Sequence, residues 1–234
     1  MLAFALAAYY SRTVSESEIF EKSEVSDAPL RRLFSGENLK NIFQVFVIMS
    51  GFWLSLQAIA AVLPGVLGRE ESGLSYTEVT LALVISYVVV AGVYLPAGML
   101  SQRVGRRPFL IASGLAMASL ATFFYYLLIR LAPENFLVVL LLTTLIVVIG
   151  ILPWALTPAY VNERFRTDVR ASGYGISYSI AVILPSFYAY YQAGLSAFIP
   201  FEYTTLVLLV AGALLISAGA ALGPETKNVE MGDK

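Results

Sequence analysis

Arg103, Arg106 and Arg107 stand close together in a largely apolar chain, and Glu163, Arg170 and Glu225 are the distant charges that could meet them. Such a set makes ion pairs rather than bonds: it can hold the ends of helices together and let them part. The chain has no His and no Cys, which excludes imidazole or thiolate metal sites, disulfides and every His- or Cys-dependent triad. No catalytic residue, metal ligand or cofactor site is expected. A second set lies inside apolar stretches at helical intervals: Ser50, Trp53, Gln57; Tyr87, Tyr94, Ser101; Thr143, Gly150, Trp154, Thr157; and Tyr178, Ala181, Pro185, Tyr188, Gln192. Rings that stack, with amide and hydroxyl groups that hydrogen-bond, suit a small polar or aromatic solute. From these stripes Trp53, Gln57, Tyr94, Trp154, Tyr178, Tyr188 and Gln192 are the candidate binding residues. Tyr and Trp also anchor membrane interfaces, and Ser or Thr often bond their own helix, so the alternative for each is a purely structural role.

The elements that must position these groups are membrane helices. With 58% hydrophobic and 13% charged residues and a mean hydropathy of +0.76, 234 residues are too apolar for a water-soluble domain. About 20 helical residues cross the hydrocarbon of a bilayer. Six stretches are long enough: 41–67, 77–101, 107–131, 135–161, 173–195 and 203–223. They do not alternate apolar and polar residues as a transmembrane β-barrel does. The expected fold is therefore all-α, six transmembrane helices in two triplets of opposite starting side, a 3+3 inverted repeat. Pro64, Pro96, Pro153, Pro158 and Pro185 fall in or beside these spans and predict bends.

Orientation follows from the basic residues, which resist translocation in short loops. Thirteen of the fifteen lie on one side, including the 98–108 hairpin, Arg164, Arg166, Arg170 and Lys227; only Arg69 and Arg130 lie on the other. That places residues 11–40, both basic loops and the C-terminus in the cytoplasm. Residues 1–10 are apolar but too short to span and read as the remnant of a preceding helix or an interfacial anchor. Residues 11–40 form a polar linker of mixed charge, 41–223 the bundle, and 224–234 a cytoplasmic tail. A net charge of −1 gives no reason to expect a nucleic-acid partner; the lipid bilayer is the partner that composition demands.

The hairpin Gly98-Met99-Leu100-Ser101-Gln102-Arg103-Val104-Gly105-Arg106-Arg107-Pro108 resembles the Gly-x-x-x-Asp-Arg-x-Gly-Arg-Arg loop of the major facilitator superfamily, with Gln102 in place of the Asp. Glu163-Arg164-Phe165-Arg166-Thr167-Asp168-Val169-Arg170-Ala171-Ser172-Gly173-Tyr174-Gly175 is similar to the Glu-x-Phe-Pro-Thr-x-x-Arg-x-x-Gly-x-Gly loop of sugar porters and metabolite:proton symporters, with Arg166 replacing the Pro. Pro224-Glu225-Thr226-Lys227 resembles the tetrapeptide that closes the last sugar-porter helix. The three occur in order and in register with the spans. The resemblance implies the C-terminal six-helix half of a twelve-helix carrier of the sugar porter or metabolite:proton symporter type. It also implies that Gly98, Gln102, Arg103, Gly105, Arg106, Arg107, Glu163, Arg170 and Glu225 gate the cytoplasmic side, holding helix ends together when the cavity opens outward.

The function expected is therefore alternating-access transport of a small organic solute, a sugar or an organic or aromatic acid, by a plasma-membrane protein that is not an enzyme. Its partner would be an N-terminal half or a second copy. Proton coupling would need a titrating residue outside the central portions of these spans, since none of them carries a charge there. The alternative is a self-contained six-helix protein, either a homodimeric carrier or channel or a non-transporting scaffold.

Overall fold

The computed structural model describes residues 33–131 and 135–229, with isolated positions before them at 4, 6, 9, 10 and 13. The expected remnant at 1–10, nearly all of the linker and the last residues of the tail lie outside the described residues. Among the described residues there are five long apolar helices: α1 (Gly36–Leu67), α2 (Tyr76–Val104), α3 (Arg106–Leu131), α4 (Phe136–Glu163) and α8 (Phe201–Leu222). Each is long and apolar enough to cross a membrane. Their starts are locally encoded. Ser75 and Glu78 form a capping box for α2, the Ser75 N–H donating to the Glu78 carboxylate at 2.8 Å and Glu78 N–H to the Ser75 hydroxyl at 3.3 Å. Asn135 Oδ1 accepts from the Leu137 N–H at 2.9 Å and so starts α4. α1 begins at Gly36 rather than 41, taking in residues assigned to the linker.

The fifth expected span, 173–195, is not one helix. It is divided into α5 (Arg170–Ile180), α6 (Ile183–Ser186) and α7 (Tyr188–Leu195). Pro185 has no N–H to offer the Ala181 carbonyl one turn back and its ring crowds that carbonyl. The chain therefore tightens around it, with Val182 N–H bonding Ser179 O and Phe187 N–H bonding Leu184 O, both at 3.2 Å. Pro64 acts on α1 by widening: residues Gln57–Val62 before it form a π turn. In α4, Pro153 lies within a 3-10 segment, Leu152–Leu156, and Pro158 follows it; Thr157 N–H takes the Trp154 carbonyl, to which Pro158 has no N–H to donate. Pro96 sits within α2 without dividing it.

α8 is the central post, packed against α1, α3 and the end of α7, while α4 joins α2 to α3 and α5 lies along α1. Lipid tails are as apolar as the side chains, so close backbone approach rather than hydrophobic expulsion must hold such helices together. Gly51 of α1 faces Gly212 of α8 so closely that a Cβ on Gly51 would come 2.5 Å from the Gly212 carbonyl oxygen. Gly219 fits against the Ile48 backbone in the same way, and Gly114 of α3 against Ser217 and Ala213 of α8. The run Gly212, Ala213, Ser217, Gly219 is thus a packing seam, as its small residues suggest.

We predict that Gly51→Val destabilises the protein by at least about 2 kcal/mol, because the backbone it meets cannot yield as a side chain can. Gly92→Ala, where an added Cβ meets nothing within 4 Å, should be neutral or stabilising. Thermal unfolding in detergent compares the two variants directly.

Candidate functional site

Two polar constellations interrupt the apolar body. The first is at the basic end, where the α2–α3 hairpin, the end of α4 and the residues after α8 converge. Arg106 is 6% exposed and Glu163 8%; Arg106 Nη2 donates to Glu163 Oε1 at 3.1 Å, and Nη1 to the Ser101 hydroxyl at 2.8 Å. The other Glu163 oxygen accepts from the buried Thr226 hydroxyl at 2.6 Å. Glu225 sits on the N-terminus of α3, accepting from the backbone N–H of Arg106 at 2.8 Å and of Arg107 at 3.1 Å. The N–H groups of Thr226 and Lys227 also converge on it.

A carboxylate at a helix N-terminus meets both unpaired donors and the positive end of the dipole. Gly105 makes room for it: its φ of +116° suits glycine, and a Cβ there would lie 2.6 Å from Glu225 Oε2. Partial desolvation works to raise the Glu225 carboxyl, but the four N–H donors outweigh it and hold it below the ordinary value of 4.5. Farther along, Arg107 Nη2 donates to the Ala221 carbonyl and Lys227 Nζ to that of Arg103, each at 2.8 Å.

Of the nine expected gating residues, the structure joins Gly105, Arg106, Arg107, Glu163 and Glu225 in this one network, with Arg103 entering through its carbonyl. Gln102 is exposed. Arg170 Nε donates to the Phe165 carbonyl at 3.3 Å, tying the loop between α4 and α5. The bonded partners of Glu163 are Arg106 and Thr226. All these contacts lie within one bundle, so the network braces the bundle internally.

Alongside is a cluster that the sequence reading missed. Arg164, 9% exposed, donates from Nε to Gln44 Oε1 at 2.8 Å and bonds Asn41 Oδ1 through Nη2. Gln44 Nε2 donates to the Gly219 carbonyl at 2.7 Å and the Tyr160 hydroxyl at 2.9 Å. A Gln within the apolar run Phe43 to Met49 was the available signal, because a buried amide without partners is costly.

The second constellation is aromatic. Trp53 of α1 packs edge-to-face on Trp154 of α4, with ring centroids 5.1 Å apart, and on Tyr178 of α5 at 5.3 Å; Tyr178 stacks on Tyr174 at 5.5 Å, and Phe52 meets Trp154 at 5.1 Å. Trp53 Nε1 donates to the Tyr178 carbonyl at 3.3 Å. Beside this ladder is a cavity of about 380 Å³, walled by Leu56 of α1, Tyr87, Val90, Ala91 and Tyr94 of α2, and Ile151 and Trp154 of α4. The Tyr94 hydroxyl reaches the Ile151 carbonyl at 3.4 Å. Non-α turns occur where the wall needs them: Leu56 precedes the π turn of α1, and Trp154 lies in the 3-10 segment of α4. Irregular backbone at membrane depth is tolerated where it is buried in protein or lines a cavity.

The seven expected binding residues therefore part company. Trp53, Tyr94, Trp154 and Tyr178 belong to the ladder and cavity. Gln57 is half-buried at the start of the π turn, beside Leu56 but outside the cavity wall. Tyr188 and Gln192 are buried on α7; Gln192 Nε2 donates to the hydroxyls of Thr204 at 3.1 Å and Thr205 at 2.9 Å, which fastens α7 to α8. Tyr87 and Ala91 complete the wall. Among the described residues there is no group of His, Cys, Asp or Glu placed to hold a metal ion.

In comparison with known families, the model described as Major Facilitator Superfamily matches residues 1–232. No curated protein and no solved structure matches the chain.

Removing one member of a buried ion pair strands the other, at a cost of about 3–5 kcal/mol. We predict a loss of that order in Glu163→Gln, with most of it recovered in the Arg106→Met, Glu163→Gln double variant, as read from unfolding midpoints. Glu225 is depressed, so its stabilisation is present above the unfolded value and is lost as pH falls through the folded value, below 4.5. Wild type should lose stability on acidification in that range; Glu225→Gln should lack that component.

Proposed function

The chain belongs to the Major Facilitator Superfamily, a family of membrane transporters, and we propose that it forms one bundle of an alternating-access carrier for a small organic solute. The bundle is read as the C-terminal half of a sugar porter or metabolite symporter type of carrier, with residues 170–195 serving as the broken fifth of six spans in a 3+3 repeat. The basic end and the tail face the cytoplasm of the cell membrane. A second bundle, either an N-terminal half or another copy of this chain, completes the passage.

The observation that carries this reading is the cavity between α1, α2 and α4, bounded by distorted turns of α1 and α4 and separated along the chain from the braced basic end. A passage that exchanges openings needs stiff walls and a central space, and the buried Arg106–Glu163 pair supports such stiffness. Exposed apolar residues on α2, Val88 and Leu95 among them, suit lipid or another bundle rather than water. No Asp, Glu, Lys or Arg occurs in the middle of the five long helices. This wall therefore conducts solute without titrating, and any proton coupling resides elsewhere.

Because the chain has no Cys, single cysteines report access without background. In sealed vesicles we predict that a membrane-impermeant thiol reagent modifies Gln102→Cys only from the cytoplasmic side and Tyr76→Cys only from the other. It should reach Ala91→Cys, in the cavity wall, from both. Reaction of Ala91→Cys from one side alone would refute alternating access, and modification of Gln102→Cys from outside would refute the orientation.

A further inference from the structure

The chemistry of the cavity wall restricts what can occupy it. We propose that it takes an uncharged solute of one or two rings carrying a single hydrogen-bonding group, a narrower class than the sugar or acid implied by the sequence motifs. This inference rests on the transport reading above and specifies its substrate.

Size is the first constraint. An apolar cavity of about 150 Å³ accommodates benzene, so about 380 Å³ has room for a second ring but sits at the small end of ligand sites. Ring faces and aliphatic carbons dominate the wall, from Tyr87, Tyr94, Trp154, Leu56 and Ile151, and aromatic faces favour stacked or edge-on partners. Charge is the second constraint. No Lys or Arg is in the wall, and Arg106 is already engaged at the basic end by Glu163 and Ser101. A carboxylate lying against this wall would give up the hydration on that side without gaining a cation from it.

Hydrogen-bonding capacity is the third. A pyranose brings several hydroxyls, each costing about 1–3 kcal/mol if buried unpaired, whereas this wall offers the hydroxyls of Tyr87 and Tyr94 and the buried, unpartnered indole N–H of Trp154, too few to satisfy a pyranose. The Tyr94 hydroxyl holds the Ile151 carbonyl only at 3.4 Å, long enough for a solute oxygen to compete for its proton. Two buried amides that would suit a sugar are used elsewhere, Gln44 on Arg164, Tyr160 and Gly219, and Gln192 on Thr204 and Thr205, and Gln57 lies outside the wall.

The two tryptophans of the chain, Trp53 and Trp154, are both in the ladder, so intrinsic fluorescence reads this site without a label. The test uses the full chain in lipid nanodiscs, titrated with 4-nitrobenzyl alcohol, with 4-nitrobenzoate, which differs by its charge, and with glucose. Saturable quenching by the alcohol is expected, at least about tenfold tighter than by the anion, with glucose without effect at millimolar concentration. Ala91→Phe, which fills the cavity from an exposed position, should abolish the saturable part while leaving the unfolding midpoint in place. Tyr94→Phe, which keeps the ring, should weaken it about fivefold.

Equal or tighter binding of the anion, competition by glucose, or quenching that persists unchanged in Ala91→Phe would each overturn the proposal. Uptake of the alcohol into proteoliposomes, measured in parallel, separates the two readings. Saturable binding without uptake leaves the site assignment standing and counts against transport. Uptake of a sugar or acid without aromatic binding keeps transport and sinks this inference.

Discussion

A helix that bends inside an apolar slab disturbs the pairing of its own carbonyls, and no water is at hand to repair it. That constraint organises this bundle. At the π turn of α1 the Tyr125 hydroxyl of α3 donates to the Ala58 carbonyl at 3.1 Å. Where α4 gives way to its 3-10 segment, Tyr94 reaches the Ile151 carbonyl; where α5 tightens ahead of Pro185, Val182 N–H turns to Ser179 and the Trp53 indole takes the Tyr178 carbonyl. In each case an aromatic residue with one polar atom donates to a carbonyl at the break, alongside whatever backbone donor that carbonyl retains. The aromatic ladder is thus tied to the breaks in the helices as much as to the cavity beside it.

The basic end solves a different problem. Its helices are regular, but their ends must be held in an environment between lipid and water, and it uses charge to do so. The Arg106–Glu163 pair is worth little as net stabilisation, because desolvation offsets much of its attraction. Its strength lies in the cost of breaking it, which fixes the register of hairpin and α4. Glu225 does for α3 what a side chain in the hairpin would otherwise have to do: with Gln102 exposed and uncharged, the anion at the helix N-terminus comes from the residues following α8.

Much of this was legible in the sequence, for reasons that differ by residue. Long apolar runs declare four spans and the last because length and hydropathy are properties of the segment alone. The hairpin was legible because Gly105 and the arginines are tied to one local geometry. The fifth span was not: its composition is that of a membrane helix, and only the backbone shows that Pro185 divides it. Gln57 and Gln192 follow the same logic of buried amides, yet one borders a π turn and the other serves Thr204 and Thr205, since a stripe on a helix does not say which neighbour it meets. Thr226 and Arg164 stand in the tail and loop motifs, but nothing local names their partners, which lie 63 and 120 residues away.

The separation of the two constellations bears on how the bundle can move. Charge-assisted bonds with short reach tolerate little displacement, so the basic end is suited to moving as a unit. The cavity wall is held by ring contacts and by bonds of 3.3 and 3.4 Å, which lose less when a ring slides or tilts. Gly51 against Gly212 locks α1 to α8 between these regions. A displacement applied at the basic end would therefore pass along α1 and α8 as rigid bodies. It would be taken up at the π turn of α1 and the 3-10 segment of α4, where the backbone already departs from the α-helix and where the cavity lies.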